Sequence, residues 1–208
     1  MSYISAYYVV PEKGRTIVSS VKGVAEGSYN DLKATPTGES LQAKRTKNTW
    51  VGNHAVLDEK LSKGNDDYAL SFVLHFVLNR NNGFLIADIS NTYMEEILSV
   101  MNSGKGSISG IVTEDGREFL MEGVKSKDGD IVMKRYDSDE NVFIGNTFFE
   151  DTKESKEGGF EYVRIGMKKY LYVYQPVGKS GITICTLVPN STITSEISVI
   201  RIVTALIV

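Results

Sequence analysis

Apolar positions along the chain fall into short runs, alternating or continuous, separated by polar stretches. In "ISAYYVVPEKGRTIVSS" from Ile4 and "ISGIVTEDGREFLMEG" from Ile108, two strand-like runs flank a polar turn, which predicts a β-hairpin in each. Gly14 and Gly116 stand in those turns, free to take positive φ. "DDYALSFVLHFV" around Tyr68 and "KKYLYVYQPV" around Tyr170 read as central strands. "GFLIADIS" from Gly83 and "GITICTLVPNS" from Gly181 read as strands that end at a helix N-cap, and "NTYMEEILSVMN" as the helix after the first. Short helices are predicted at "SYNDLKAT" and "HAVLDEKLS", and a loop or short helix followed by a strand from "NVFIGN" to "FEYVRIG".

These landmarks recur in one order. Ile4 and Ile108 lie 104 residues apart, Gly14 and Gly116 102, Tyr68 and Tyr170 102, and Gly83 and Gly181 98. The spacing predicts a duplicated α+β unit, at residues 1–103 and again at 104–190, each with an antiparallel sheet flanked by helices. Residues 191–208 form a third, apolar segment.

Composition narrows the function classes. With 208 residues and 41% hydrophobic positions the chain can bury a sizeable core. A net charge of −3 and no basic run longer than Lys168-Lys169 leave no stripe for a nucleic-acid backbone. The single cysteine, Cys185, excludes an internal disulfide and a cysteine-based metal cluster. "GKGSISG" at Gly104 and "GKSGIT" at Gly178 lack the remainder of a phosphate-loop motif, and no nucleophile elbow of the G-x-S-x-G type occurs. Neither an enzyme nor a cofactor is expected. The first ten residues do not read as a signal peptide, so if the domain is exported the segment that carries it across is expected upstream of Met1. "ISVIRIVTALIV" is too short to cross a bilayer and reads either as an amphipathic terminal helix or as the start of a longer crossing.

The order of landmarks resembles the double Cache sensor domain, the extracytoplasmic ligand-binding module of bacterial chemoreceptors and of some sensor kinases. The resemblance rests on "YYVVPEKGRTIVSS", "WVGNHAVLDEKLSKGNDDYALS", "GFLIADIS", "GIVTEDGREF" and "GITICTLVPNSTI". It implies two tandem PAS-like units, a membrane-distal ligand-binding one at 1–103 and a membrane-proximal one at 104–190, with 191–208 leading into a transmembrane helix. It also implies a methyl-accepting chemotaxis receptor at the cell membrane, homodimeric when complete, that binds a small polar ligand (an amine, amino acid or organic acid). The same module on a histidine kinase or diguanylate cyclase, or as a soluble binding protein, would leave this sequence looking the same. The family's first transmembrane helix and long N-terminal helix have no counterpart here.

Asp88 is the leading candidate site residue. A carboxylate within an apolar strand is costly to bury unless donors meet it, and Thr186, five residues after Gly181 as Asp88 is after Gly83, carries no charge. By resemblance Asp88 receives a ligand amino group; the alternative is that it caps the helix beginning near Asn91 or holds the adjacent loop. Trp50 stands where the family places an aromatic pocket wall, with a core anchor as the other reading. Arg45 could hold a ligand carboxylate, but it precedes Trp50 by five residues where the amino-acid-binding pattern has two, which favours a solvated charge. Tyr68 either presents its hydroxyl to the pocket or packs in the core. His54 and Asp58, four apart on a helix, read as a surface pair rather than a metal site, and His75 as a core histidine.

Overall fold

The computed structural model describes residues 3–18, 28–43, 48–64, 67–101, 103–138 and 140–194. Arg45 and most of the apolar terminal segment, from residue 195 onward, lie outside them. Two compact units divide the chain: residues up to Met94 together with the turn Thr113–Arg117, and the remainder. No helix among the described residues is long and apolar enough to cross a membrane.

In the first unit, alternating apolar residues build β1 (Ile4–Pro11), which turns through Gly14 at φ 110° into the short β2 (Ile17–Val18). Helices α1 (Ser28–Lys33) and α2 (Pro36–Ala43) follow, then β3 (Asn48–Val51), α3 (Ala55–Leu61), β4 (Leu70–Leu78), β5 (Asn81–Ile89) and the start of α4 (Asn91–Ser99), whose remainder from Glu95 belongs to the second unit. Strand order is β2-β1-β5-β4-β3. Ala6, Tyr8 and Val10 of β1, Val73 of β4 and Phe84 and Ile86 of β5 make one core with Tyr29, Leu32, Leu41, Leu57 and Leu61 from the helices. Helices α1 and α2 pack closely because of Gly38: a Cβ there would lie 2.0 Å from the Leu32 carbonyl oxygen. Ser90, at the end of β5, caps α4 by accepting the Tyr93 N–H at 3.2 Å.

The second unit repeats the plan with β6 (Ile108–Thr113), β7 (Glu118–Lys125), β8 (Ile131–Arg135), α5 (Thr147–Thr152), β9 (Gly159–Ile165), β10 (Lys168–Pro176) and β11 (Ile182–Pro189). Its strand order, β8-β7-β6-β11-β10-β9, matches that of the first sheet once the edge strand β8 is set aside. In both, the last strand returns beside the first, and the fold is α+β with two antiparallel sheets. Phe143, Phe148 and Phe149 pack on Tyr172, Cys185 and Leu187. Burial pushes the Cys185 thiol up to about 12, so it behaves as a small apolar core residue.

One substitution tests this second core. The Glu118 carboxylate accepts the backbone N–H groups of Val142 and Phe143 at 2.8 Å and of Ile144 at 2.7 Å, holding the segment that carries Phe143 into the core. Glu118→Ala strands those donors and is expected to cost about 2–3 kcal/mol in urea denaturation, with Glu118→Gln costing less. Equal losses from the two variants would mean that the carboxylate's acceptor role is not what holds the segment.

The repeat alignment needs one correction. Thr186 does not occupy the face equivalent to Asp88. Asp88 lies on the same face of β5 as the core residues Phe84 and Ile86, whereas Thr186 sits between the core residues Cys185 and Leu187 and faces away from them, donating to Ser109 at 3.1 Å. A one-residue slip in a strand exchanges faces, and equal spacing from a glycine does not reveal it. The asymmetry between the units survives: the core face carries a carboxylate in β5, and Cys185 and Leu187 in β11.

Candidate functional site

Asp88 projects from β5 beneath the helices of the first unit and has no exposed surface. Opposite it in register are Ala6 on β1 and Ser71 on β4. Its Oδ1 accepts from His54 Nε2 at 2.6 Å and from Ser71 Oγ at 2.8 Å; its Oδ2 accepts from Tyr8 Oη at 2.7 Å and Lys63 Nζ at 2.8 Å. A carboxylate has about four acceptor positions, and all four are taken by this chain's own side chains.

The partners are delivered by the segment around α3. His54 is the N-cap residue of α3, and its backbone N–H donates to Tyr68 Oη at 3.2 Å. One helical turn later Asp58 meets His54 Nδ1 at 3.0 Å and accepts from Tyr68 Oη at 2.7 Å. The helix ends at Ser62, whose φ of 52° is left-handed; Lys63 then donates its own N–H to the Asp58 carbonyl at 2.8 Å. The reversal sends the Lys63 ammonium back under α3, where it also donates to Tyr8 Oη. The imidazole of His54 stacks on the Tyr68 ring at 4.8 Å and 13°, with the Arg117 guanidinium 5.2 Å from the centre of that ring.

Two carboxylates, an imidazolium and an ammonium thus neutralise one another within a buried cluster. Burial disfavours the charged form of His54, but the Asp58 and Asp88 carboxylates at its two ring nitrogens outweigh it and lift the group to about 9. For Asp88 burial works upward, and His54, Lys63 and Tyr8 together bring the group down to about 2. Burial and the neighbouring carboxylates raise both Tyr8 and Tyr68, keeping each hydroxyl a donor. With one carboxylate on each ring nitrogen of His54, the three residues do not converge on a common point. No metal-binding group of three or more His, Cys, Asp or Glu occurs among the described residues.

Beside the cluster lies a cavity of about 270 Å³. Leu32, Val51, Val56, Val73, Phe84 and Ile86 form its apolar walls. Thr35, Thr37, Asn53, His54 and Asp115 contribute polar groups, and Asp88 and Lys63 do not line it. Asp115 accepts the Gly52 N–H at 2.7 and 2.9 Å and the Asn53 N–H at 3.4 Å, fixing the turn that leads into α3.

No protein-family model matches the chain, and neither does any curated protein. Solved structures do match. The ligand-binding domain of the Pseudomonas aeruginosa PAO1 amino-acid chemoreceptor PctB, solved with L-Gln, aligns over 98% of this chain and 76% of its own, with TM-score 0.54 and 14% identity. The extracellular domain of rpHK1S-Z16, assigned as a histidine kinase, aligns over 93% of this chain and 73% of its own, with TM-score 0.57 and 11% identity. The ligand-binding domain of Mlp24, solved with asparagine, aligns over 94% and 72%, with TM-score 0.54 and 14% identity. The fold is shared with these ligand-binding and extracellular domains.

Within this fold the residues singled out in the sequence part company. Asp88 and Tyr68 belong to one hydrogen-bonded cluster through His54 and Asp58. Asp88 does not cap α4, since Ser90 does. Trp50 is on the wrong face for a pocket wall: strand alternation turns Val51 to the cavity and Trp50 to the other side, edge-on to Phe72 at 5.1 Å. Arg45 lies outside the described residues. His54 and Asp58 are not a surface pair; they are 5% and 8% exposed, because α3 lays that face on the sheet above Asp88. His75 is half-buried against Phe84 at 5.4 Å.

Sequence reasoning missed Tyr8, Lys63 and Ser71. Ser71 carried a usable signal, a second polar residue inside an apolar strand. Lys63 carried none, because its burial depends on the left-handed turn at Ser62.

Proposed function

We propose that this chain is the extracytoplasmic sensor domain of a transmembrane receptor, binding a small polar molecule in its first, membrane-distal unit. The single observation that carries the reading is the cavity of about 270 Å³ under the first sheet, walled by that unit's own core residues. The likeness to the ligand-binding domain of a chemoreceptor supports the sensory role, and that to the extracellular domain of a histidine kinase supports the compartment. The signal passes through the second unit to a membrane helix, in a homodimer whose cytoplasmic output is a chemotaxis signalling domain or a histidine kinase. The domain itself performs no catalysis. Coupling requires that the ligand prefer one of two arrangements, since equal affinity for both shifts nothing.

A thermal-shift screen of the purified protein against small metabolites tests this. A ligand at about 100 times its dissociation constant stabilises the folded state by about 2.7 kcal/mol, which a melting curve resolves. A library in which no compound moves the melting temperature of the well-folded protein would remove small-molecule sensing.

A further inference from the structure

Resting on that reading, we propose that the cavity takes a small uncharged molecule, a compact alcohol or amide with an apolar body, and that Lys63 fills the cation seat on Asp88.

The cluster leaves no charge over for a ligand. An incoming ammonium would have to displace a donor from Asp88, and the donor in its place is itself an ammonium, 2.8 Å from Oδ2 and held on a side chain only 6% exposed. Lys63 is also tied by its backbone to Asp58, so its local concentration at the carboxylate is far above that of any free amine. A ligand carboxylate does no better. Among the described residues His54 is the one basic side chain lining the cavity, and it already bridges Asp58 and Asp88. Asp115 already accepts the N–H groups of Gly52 and Asn53 and is exposed to water, so a cation beside it would gain only a screened surface pair. A zwitterionic amino acid would therefore bring two charges against apolar walls with no buried, unspent partner for either among the described residues, and an unpaired buried charge is strongly disfavoured.

An uncharged ligand meets no such obstacle. Val51, Val73, Phe84 and Ile86 offer it apolar contact, and the Thr37 hydroxyl and Asn53 amide offer hydrogen bonds suited to an alcohol or amide group. At about 270 Å³ the cavity lies just below the common range of about 300–1,000 Å³ for ligand pockets, which calls for a compact molecule.

Thermal shifts of the wild-type protein, Lys63→Ala and Lys63→Met test the proposal with five probes: ethylammonium chloride, ammonium chloride and L-alanine as the charged ones, and benzyl alcohol and 2-methylpropanamide as the neutral pair. Sodium chloride at equal ionic strength is the reference. The wild type should be stabilised by at least one neutral probe and by none of the charged ones, and Val56→Phe, which fills the cavity, should abolish that response. In Lys63→Ala the emptied seat should accept ethylammonium, raising the melting temperature by several degrees. Lys63→Met keeps the alkyl stem should the alanine variant fail to fold, and there ammonium should do the same. If ethylammonium or L-alanine stabilises the wild type as much as Lys63→Ala, the seat is open and the proposal falls, while the sensor reading stands. If the neutral probes leave the wild type unmoved but other metabolites bind, the ligand class is wrong. If nothing binds in this test or in the wider screen, the proposal and the sensor reading fall together.

Discussion

Asp88→Ala is expected to lower stability by about 3–5 kcal/mol, the usual cost of removing one partner from a buried ion pair. The loss should appear as a fall in melting temperature on the order of 10 °C. The substitution leaves Lys63 with no carboxylate partner among the ion pairs of the cluster, leaves His54 with Asp58 alone, and removes the acceptor for the Tyr8 and Ser71 hydroxyls. Asp88→Asn should be nearly as damaging: it keeps the shape but leaves two cations facing one carboxylate, and turns an N–H toward one of the former donors. The double variant Asp88→Leu with Lys63→Met should recover much of the loss, because His54 and Asp58 then remain as a balanced pair. A melting temperature unchanged by Asp88→Ala would show that the cluster contributes nothing to the fold.

Stability should also depend on pH with a characteristic shape. His54 is lifted from its ordinary 6.5 to about 9, so its contribution is complete below about pH 6.5 and disappears as pH rises through about 9. Asp88 is brought from 3.8 to about 2, so its contribution is complete above about pH 4 and disappears as pH falls through about 2. The plateau therefore runs from about pH 4 to 6.5, followed by an alkaline decline worth about 3 kcal/mol. Both shifts describe largely the same ion pair, so the two amounts do not add. Urea denaturation from pH 5 to 10 measures the alkaline limb, and His54→Gln should flatten it while lowering the plateau. An alkaline limb that persists unchanged in His54→Gln would assign it to another group.

Much of this architecture is legible in the linear pattern. The strands at Ile4, Tyr68, Gly83, Ile108, Tyr170 and Gly181 and the helix after Ser90 follow from local periodicity, turn residues and a cap, all properties of neighbouring residues. Asp88 stood out for the same reason, a charge within an apolar run whose burial demands partners.

The partners themselves come from elsewhere in the chain. Tyr8, His54, Lys63 and Ser71 lie 80, 34, 25 and 17 residues away, and nothing local distinguishes them from other polar side chains. His54 and Asp58 look alike on a helix whether that helix faces solvent or a sheet, and only the packing of α3 over β5 makes them interior. Trp50 shows the converse: an aromatic residue suits a pocket wall, yet the register of β3 against β4 sends it to the opposite face. Periodicity, turns and caps, being interactions over a few residues, are written in the chain. The face each strand presents, the depth of each charge and the filling of the Asp88 carboxylate by Lys63 depend on long-range packing, which brings together residues whose spacing in the sequence carries no trace of the contact.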